Sequence, residues 1–169
     1  MEIAGIQKAL DDIRGEALVF HGFTDYMRDY DLIVFRISEA QAGHAARHMR
    51  YRFTHCVSAT IETGLPRDLL KASVDDRLIE MTPSAGVEGF VWGARWQPFY
   101  PGGVAIRGSR LARRWKKSMG ITMHEVRIQA GAHNLTLMFS DLVVTDVPPG
   151  YAPFAVGSDD QPVGPSDDE

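Results

Sequence analysis

Apolar and polar residues follow two periods along this chain, one typical of helices and one typical of strands. Near the start, four isoleucines and leucines at spacings of three and four residues predict a helix over residues 3–14, which Gly15 would end. Nearly continuous apolar runs then predict strands at residues 18–20 and 31–37, buried on both faces. The intervening residues from Gly22 predict a turn. A polar and small-residue stretch predicts a loop over 38–46.

The longest alternation of apolar and polar residues covers residues 49–62. Apolar residues occupy the odd positions, and arginine, serine, threonine and glutamate occupy the even ones, so the pattern predicts one long half-buried strand. The alternation weakens at His55 and Cys56, which predicts a bulge there. At that point His55 would lie on the apolar side of the strand.

The rest of the chain predicts two further helices and a hairpin. Pro66 predicts a short helix over 66–71, and Ser109 and Gly120 would bound a helix at about 109–119. The hairpin pairs residues 124–129 with 135–140 through a turn at 131–134, and residues 142–144 continue its second strand.

An aromatic segment predicts a strand over residues 90–96. Trp92 and Trp96 would share one face of it and would pack against a stripe on the 109–119 helix. That stripe consists of Leu111, Trp115 and Met119. Together these elements predict a single α+β domain, mainly antiparallel sheet, with an N-terminal helix and the 109–119 helix packed on it.

Length and charge divide the chain into a domain and a tail. The net charge is −4, but the last twenty residues contain five acidic and no basic residues, so the rest of the chain is nearly neutral. We therefore expect one domain over 1–155 and an acidic, disordered tail over 156–169. One cysteine, no long apolar run and no signal-peptide pattern predict a cytoplasmic protein without a membrane span.

Several local stretches resemble the YxiG-like domain family of small bacterial proteins. They are residues 50–57 (RYRFTHCV), 75–79 (DDRLI), 89–96 (GFVWGARW), 123–128 (MHEVRI) and 139–142 (FSDL). The resemblance covers about residues 18–155 and implies a fold more than an activity. Some relatives lie near toxin genes, which implies an immunity or toxin-linked role, and the family offers no catalytic residue to carry over.

Catalytic chemistry has few candidates in this sequence. A small hydrolase or nuclease would use His55 and His124 as acid and base, with Arg127 or Arg95 binding the substrate. A cysteine–histidine pair of Cys56 and His55 is disfavoured, because neighbours on a strand point to opposite faces.

Metal and nucleotide sites are not indicated. His44 and His48 are four residues apart, but the adjacent strand argues against the helix that would bring them together. The phosphate-binding glycine motifs are missing from the sequence. We therefore predict no metal and no cofactor.

Partner binding has the clearest signal. Six cations occur in eleven residues with no acidic residue among them: Arg107, Arg110, Arg113, Arg114, Lys116 and Lys117. Arg50 and Arg52, on the polar face of the long strand, would extend this basic surface. Arg95 and Tyr100 would be the exposed, functional pair of the aromatic segment. Such a surface favours an acidic protein, with nucleic acid as a weaker alternative.

Three functions from different classes remain open at this point. The first is a non-enzymatic protein-binding module with an immunity-like or toxin-associated role. The second is the histidine hydrolase or nuclease described above. The third is a small-molecule binder whose pocket is lined by Trp92, Trp96 and Tyr100.

Overall fold

The computed structural model describes residues 1–153 except Asp25, His44, Ala46, residues 73–96 and Pro149. Helices and strands occur in the following order. They are α1 (Ile3–Asp11), β1 (Ala17–Thr24), β2 (Asp29–Phe35), α2 (Ile37–Gln41), β3 (His48–Thr54), β4 (Ser58–Thr63), α3 (Arg67–Ala72), β5 (Gln97–Pro98), β6 (Pro101–Ala105), α4 (Arg110–Met119), β7 (His124–Ala130), β8 (His133–Phe139) and β9 (Asp141–Asp146).

The strands form two antiparallel sheets. The first sheet has the order β5-β1-β2-β3-β9, and the second has the order β4-β8-β7-β6. All of their described pairings are antiparallel. This confirms the predicted α+β domain dominated by antiparallel sheet.

One hydrophobic core joins the two sheets and α1. Its buried side chains include Ile6 of α1, Phe53 of the first sheet and Phe139 of the second. The rings of Phe53 and Phe139 meet edge to face with their centroids 4.7 Å apart. The two sheets therefore stabilise each other through shared apolar burial.

α1 also covers the free edge of β6. The side-chain amide of Gln7 donates to the carbonyl of Gly103 at 3.0 Å and accepts from the amide of Ala105 at 2.8 Å. This one side chain thereby satisfies two backbone groups that an edge strand would otherwise leave unpaired.

The prediction of one strand over residues 49–62 is wrong. The segment forms β3 in the first sheet and β4 in the second, separated by residues 55–57. His55 has a left-handed backbone conformation, with φ +47°, which ends β3. The buried carboxylate of Asp29 accepts from the backbone amide of His55 at 2.9 Å and holds this conformation.

His55 itself is exposed, so its predicted place on the apolar side is also wrong. Alternation continues on both sides of the break, because each half follows the pleat of its own sheet. The weak point at His55 and Cys56 therefore indicated a bulge within one strand rather than a change of sheet.

The hairpin of β7 and β8 is confirmed, and its second strand changes sheet in the same way. β8 ends at Phe139 in the second sheet, and β9 begins at Asp141 in the first. The backbone amide of Ser140 donates to the carbonyl of Thr54 at 2.9 Å. The β3–β4 and β8–β9 segments therefore cross between the two sheets next to each other. This crossing places His55 beside Ser140.

Several predicted boundaries differ from those observed. α1 ends at Asp11, before the predicted end at residue 14. β1 continues through Gly22 to Thr24, because it pairs with β2 along its whole length, so the turn is shorter than predicted. The predicted loop at 38–46 overlaps the short helix α2. The buried strand β2 and the short helix α3 are confirmed.

α4 has its predicted ends but not its predicted packing face. Ser109 caps it by accepting from the amide of Ala112 at 3.0 Å, and Gly120 ends it in the left-handed conformation. Ala112 is buried against the sheet and Trp115 of the predicted stripe packs partly beside it, whereas Leu111 and Met119 are 44% and 42% exposed.

The strand predicted over residues 90–96 lies outside the described residues, and so do Trp92 and Trp96, the predicted partners of that stripe. The predicted tail at 156–169 also lies outside them. Beyond that segment, Phe99 is fully buried in the core. Among the described residues, no helix is long and apolar enough to cross a membrane.

Candidate functional site

The side of α4 that faces solvent carries three cations. Arg110, Arg114 and Lys117 lie opposite Ala112, since successive helical residues are rotated by about 100°. All three side chains are exposed. We call them the cationic ridge.

Apolar side chains lie along one flank of the cationic ridge. Leu111, Trp115 and Met119 follow each other at intervals of four residues and form this apolar flank. Trp115 packs partly against Met123 and Met138 of the small cluster under α4, while Leu111 and Met119 remain exposed. Exposed apolar area next to cations is typical of a surface that binds another protein.

Within the described part of the chain, no carboxylate neutralises the charges of α4. Arginines elsewhere form ion pairs, such as Arg36 with Glu16 and Arg50 with Asp31. In contrast, none of the cations of α4 has a described carboxylate within ion-pairing distance. Their combined potential is therefore available to an external anion.

A cavity of about 840 Å³ opens where the β3–β4 and β8–β9 segments cross between the sheets. We call it the corner cavity. Its polar lining includes His55, Ser140, His124, Arg113 and Lys116. The two cations come from the flank of α4 opposite the apolar flank. The corner cavity thus joins the sheet crossing to the basic helix.

Hydrogen bonds orient the imidazole of His55. Its Nδ1 lies 2.8 Å from the Oγ of Ser140, and that Oγ lies 3.1 Å from the carbonyl of Thr54. The Oγ of Ser140 also lies 3.2 Å from the Oγ of Thr54, so the tautomer of His55 decides whether Nδ1 donates to Ser140 or accepts from it. In either tautomer Nδ1 bonds to Ser140, which leaves Nε2 for contact with a bound molecule.

His124 and Asp141 lie at the other side of the corner cavity. Burial lowers the pKa of His124, which favours its neutral form. The hydrogen bond from the amino nitrogen of Met1 lowers the pKa of Asp141, and the same carboxylate accepts from the amide of Leu142. Asp141 is therefore ionised and already hydrogen-bonded.

The arginine predicted to act with these histidines, Arg127, lies elsewhere. Arg127 projects from β7, 3.6 Å from a carboxylate oxygen of Glu125, and lines a separate cavity together with Arg14 and Glu62. The structure therefore brings His55 and His124 to one cavity but does not bring Arg127 to it.

The sheet arginines are engaged within the fold. Arg50 is bonded to the buried carboxylate of Asp31 at 2.8 Å, and its guanidinium lies 5.3 Å from the ring centre of Tyr151. Arg52 is half-buried on the same face of β3. These contacts belong to the first sheet rather than to the surface of α4.

Tyr100 lies on the loop between β5 and β6. Its ring is exposed, and the guanidinium of Arg14 lies 5.7 Å from the ring centre. Arg95, its predicted partner in function, lies outside the described residues, as do Trp92 and Trp96.

The thiol of Cys56 does not belong to the corner cavity. Cys56 is buried in the core, and burial raises its pKa to about 11. Its neighbour His55 is exposed, so the two side chains lie on different sides of the chain. No group of three or more potential metal ligands occurs in the described part of the chain.

Comparison with protein families matches residues 2–157 to the family described as YxiG-like protein. The chain belongs to the YxiG-like protein family. This confirms the resemblance and extends it to α1. Searches of curated proteins and of solved structures returned no match.

Sequence reasoning missed part of the corner cavity of this YxiG-like chain. Ser140 was not identified, and Arg113 and Lys116 were not separated from the other cations of α4. The signal in the sequence is that the patterns weaken at both His55 and Asp141, but only the pairing of β3 with β9 places those breaks together.

Proposed function

We propose that this YxiG-like chain is a non-enzymatic, cytoplasmic binding protein that engages an acidic protein partner through α4, in an immunity-like or toxin-associated role. The observation that supports this proposal is the cationic ridge beside the exposed apolar flank, with no described carboxylate paired to its charges. Complementary charge would steer the partner and fix its orientation.

The apolar flank favours a protein over a nucleic acid. Phosphate contacts require cations but gain little from exposed leucine and methionine. An apolar pocket on a protein would remove Leu111 and Met119 from water, which stabilises a complex by about 1.5–3 kcal/mol for each fully buried side chain. Acidic residues around such a pocket would match the cationic ridge.

Charge reversal of the cationic ridge is expected to abolish partner binding. The variant Arg110→Glu/Arg114→Glu/Lys117→Glu should weaken binding on the order of 100-fold or more, because attraction becomes repulsion at three positions. Affinity is measured by biolayer interferometry against the purified products of the genes adjacent to this one. The matched control, Lys8→Glu/Arg67→Glu/Lys71→Glu, changes the charge equally at exposed positions away from α4.

The control and a second variant make the result decisive. The proposal expects the control triple variant to bind like the wild type and Leu111→Ser/Met119→Ser to weaken the same complex. Equal losses in the ridge and control variants would contradict a specific site. Binding of RNA or DNA that needs the cationic ridge, with no binding to any of the tested proteins, would assign the surface to nucleic acid instead.

Hydrolysis by histidines is a second candidate function. One observation favours it: His55 and His124 line the same cavity, with Arg113 and Lys116 available to hold a phosphate ester. It predicts release of nitrophenol from bis(p-nitrophenyl) phosphate, with a loss of about 10²-fold or more in His55→Ala and in His124→Ala. Wild-type turnover equal to that of both variants would exclude this activity.

A further inference from the structure

We propose that the corner cavity binds a small organic anion, an apolar body that carries one phosphate or carboxylate group. This inference goes beyond partner docking at the cationic ridge, because it uses the other flank of α4 and a small ligand held in the corner cavity. It also requires no turnover. If the second candidate function holds, the inference names its substrate class.

The size and walls of the corner cavity fit the apolar body. Its volume of about 840 Å³ lies within the range of small-molecule sites, which is roughly 300–1,000 Å³. Ile3, Ile106, Ile121 and Met123 contribute apolar wall on several sides. A planar or aliphatic body would therefore lose part of its contact with water when bound.

Arg113 and Lys116 supply the charge that an anion needs. Both line the cavity from α4, and neither has a described carboxylate within ion-pairing distance. Arginine binds phosphate and carboxylate with two parallel hydrogen bonds, and lysine adds a mobile point charge. These two residues favour an anionic ligand over a neutral one.

The other polar groups of the corner cavity are compatible with an anion. In the tautomer whose Nδ1 accepts from Ser140, Nε2–H of His55 can donate to an oxygen of the anion. Two carboxylates, Asp141 and Glu2, also line the cavity. Asp141 is compensated by Met1 and Leu142, and Glu2 is exposed to solvent, which screens its charge.

The test compares four probes that differ in one group at a time. Binding of 1-naphthyl phosphate, 1-naphthoate, 1-naphthol and inorganic phosphate to the full chain is measured by fluorescence and calorimetry. The proposal expects at least one of the two naphthyl anions to bind about tenfold or more tightly than both 1-naphthol and inorganic phosphate. Which naphthyl anion binds best then distinguishes phosphate from carboxylate ligands.

Two variants of equal charge locate the site. Arg113→Gln/Lys116→Gln should remove the preference for the anion, while Arg110→Gln/Lys117→Gln should retain it. In imidazole NMR spectra, the anion should shift the resonances of His55 and His124 but not those of exposed His48. Binding of the protein partner is measured in a separate assay and depends on the cationic ridge. Failure of one proposal therefore does not imply failure of the other.

Three results would overturn the ligand site. They are no saturable binding of either naphthyl anion at millimolar concentration, equal affinity for 1-naphthol and both anions, and equal loss of the anion preference in the two paired variants. Thermal unfolding of each variant accompanies the titrations, so that only folded protein enters the comparison.

Discussion

Replacing Phe139 with alanine is expected to lower the free energy of unfolding by about 3–5 kcal/mol. Phe139 is fully buried, its ring contacts that of Phe53, and it is the last residue of β8 before the chain passes into the first sheet. The substitution removes apolar surface and leaves a cavity at the junction of the two sheets. That loss is a large fraction of the 5–15 kcal/mol that is usual for a domain.

Urea denaturation followed by circular dichroism measures this effect. Phe139→Leu is the matched control, since it keeps most of the apolar volume and is expected to cost less than about 2 kcal/mol. A double-mutant cycle with Phe53→Ala should show coupling of at least about 0.5 kcal/mol between the rings. A loss below about 1 kcal/mol for Phe139→Ala would contradict a core shared by both sheets.

Stability is also expected to fall as the pH drops from about 6.5 to about 4, because of a half-buried histidine between the sheets. The Nδ1 of His21 lies 2.7 Å from the hydroxyl of Tyr30, and its Nε2 lies 2.7 Å from Nδ1 of His133. Burial first, and then the proximity of His133, lower the pKa of His21 to about 4.

The direction of this pH effect follows from proton uptake. Between about pH 6.5 and 4 the unfolded chain protonates His21 while the folded chain keeps it neutral, so acid favours unfolding. The full difference between the pKa values of His21 in the unfolded and folded chains corresponds to about 3 kcal/mol of stability. Unfolding free energies are measured at several pH values for wild type, His21→Leu and His48→Gln.

The two variants separate His21 from the other acid-sensitive groups. His21→Leu is expected to be less stable at neutral pH, since it leaves His133 and Tyr30 without their shared partner, but to lose less stability on acidification. His48→Gln, at an exposed position, should keep the wild-type pH dependence. An unchanged pH dependence in His21→Leu would show that His21 does not stay neutral in the folded protein.

Locally determined features of this fold could be predicted from the sequence. The β7–β8 hairpin and the ends of α4 at Ser109 and Gly120 follow from alternation, capping and turn residues within a few positions. The change of sheet at His55 could not be predicted in this way. It depends on the bond to Asp29 and on the contact of Thr54 with Ser140, which are distant in sequence.

The candidate site shows the same difference between local and long-range features. The cluster of cations on α4 is visible in the sequence because it needs only composition. The orientation of α4 is not, because three large side chains predict a packing face, whereas the observed face buries Ala112 and, of the three, only part of Trp115. The corner cavity also depends on long-range pairing, since His55, His124 and Arg113 come from three separate segments.

Hydrogen–deuterium exchange of the full chain, alone and bound to its protein partner, tests the central claim most directly, because it locates the bound surface without a substitution. The account predicts that peptides covering residues 107–121 gain the largest protection and that peptides covering β1 and β2 change little. Protection concentrated on the first sheet, with 107–121 exchanging as in the free chain, would contradict the assignment of α4 as the binding surface.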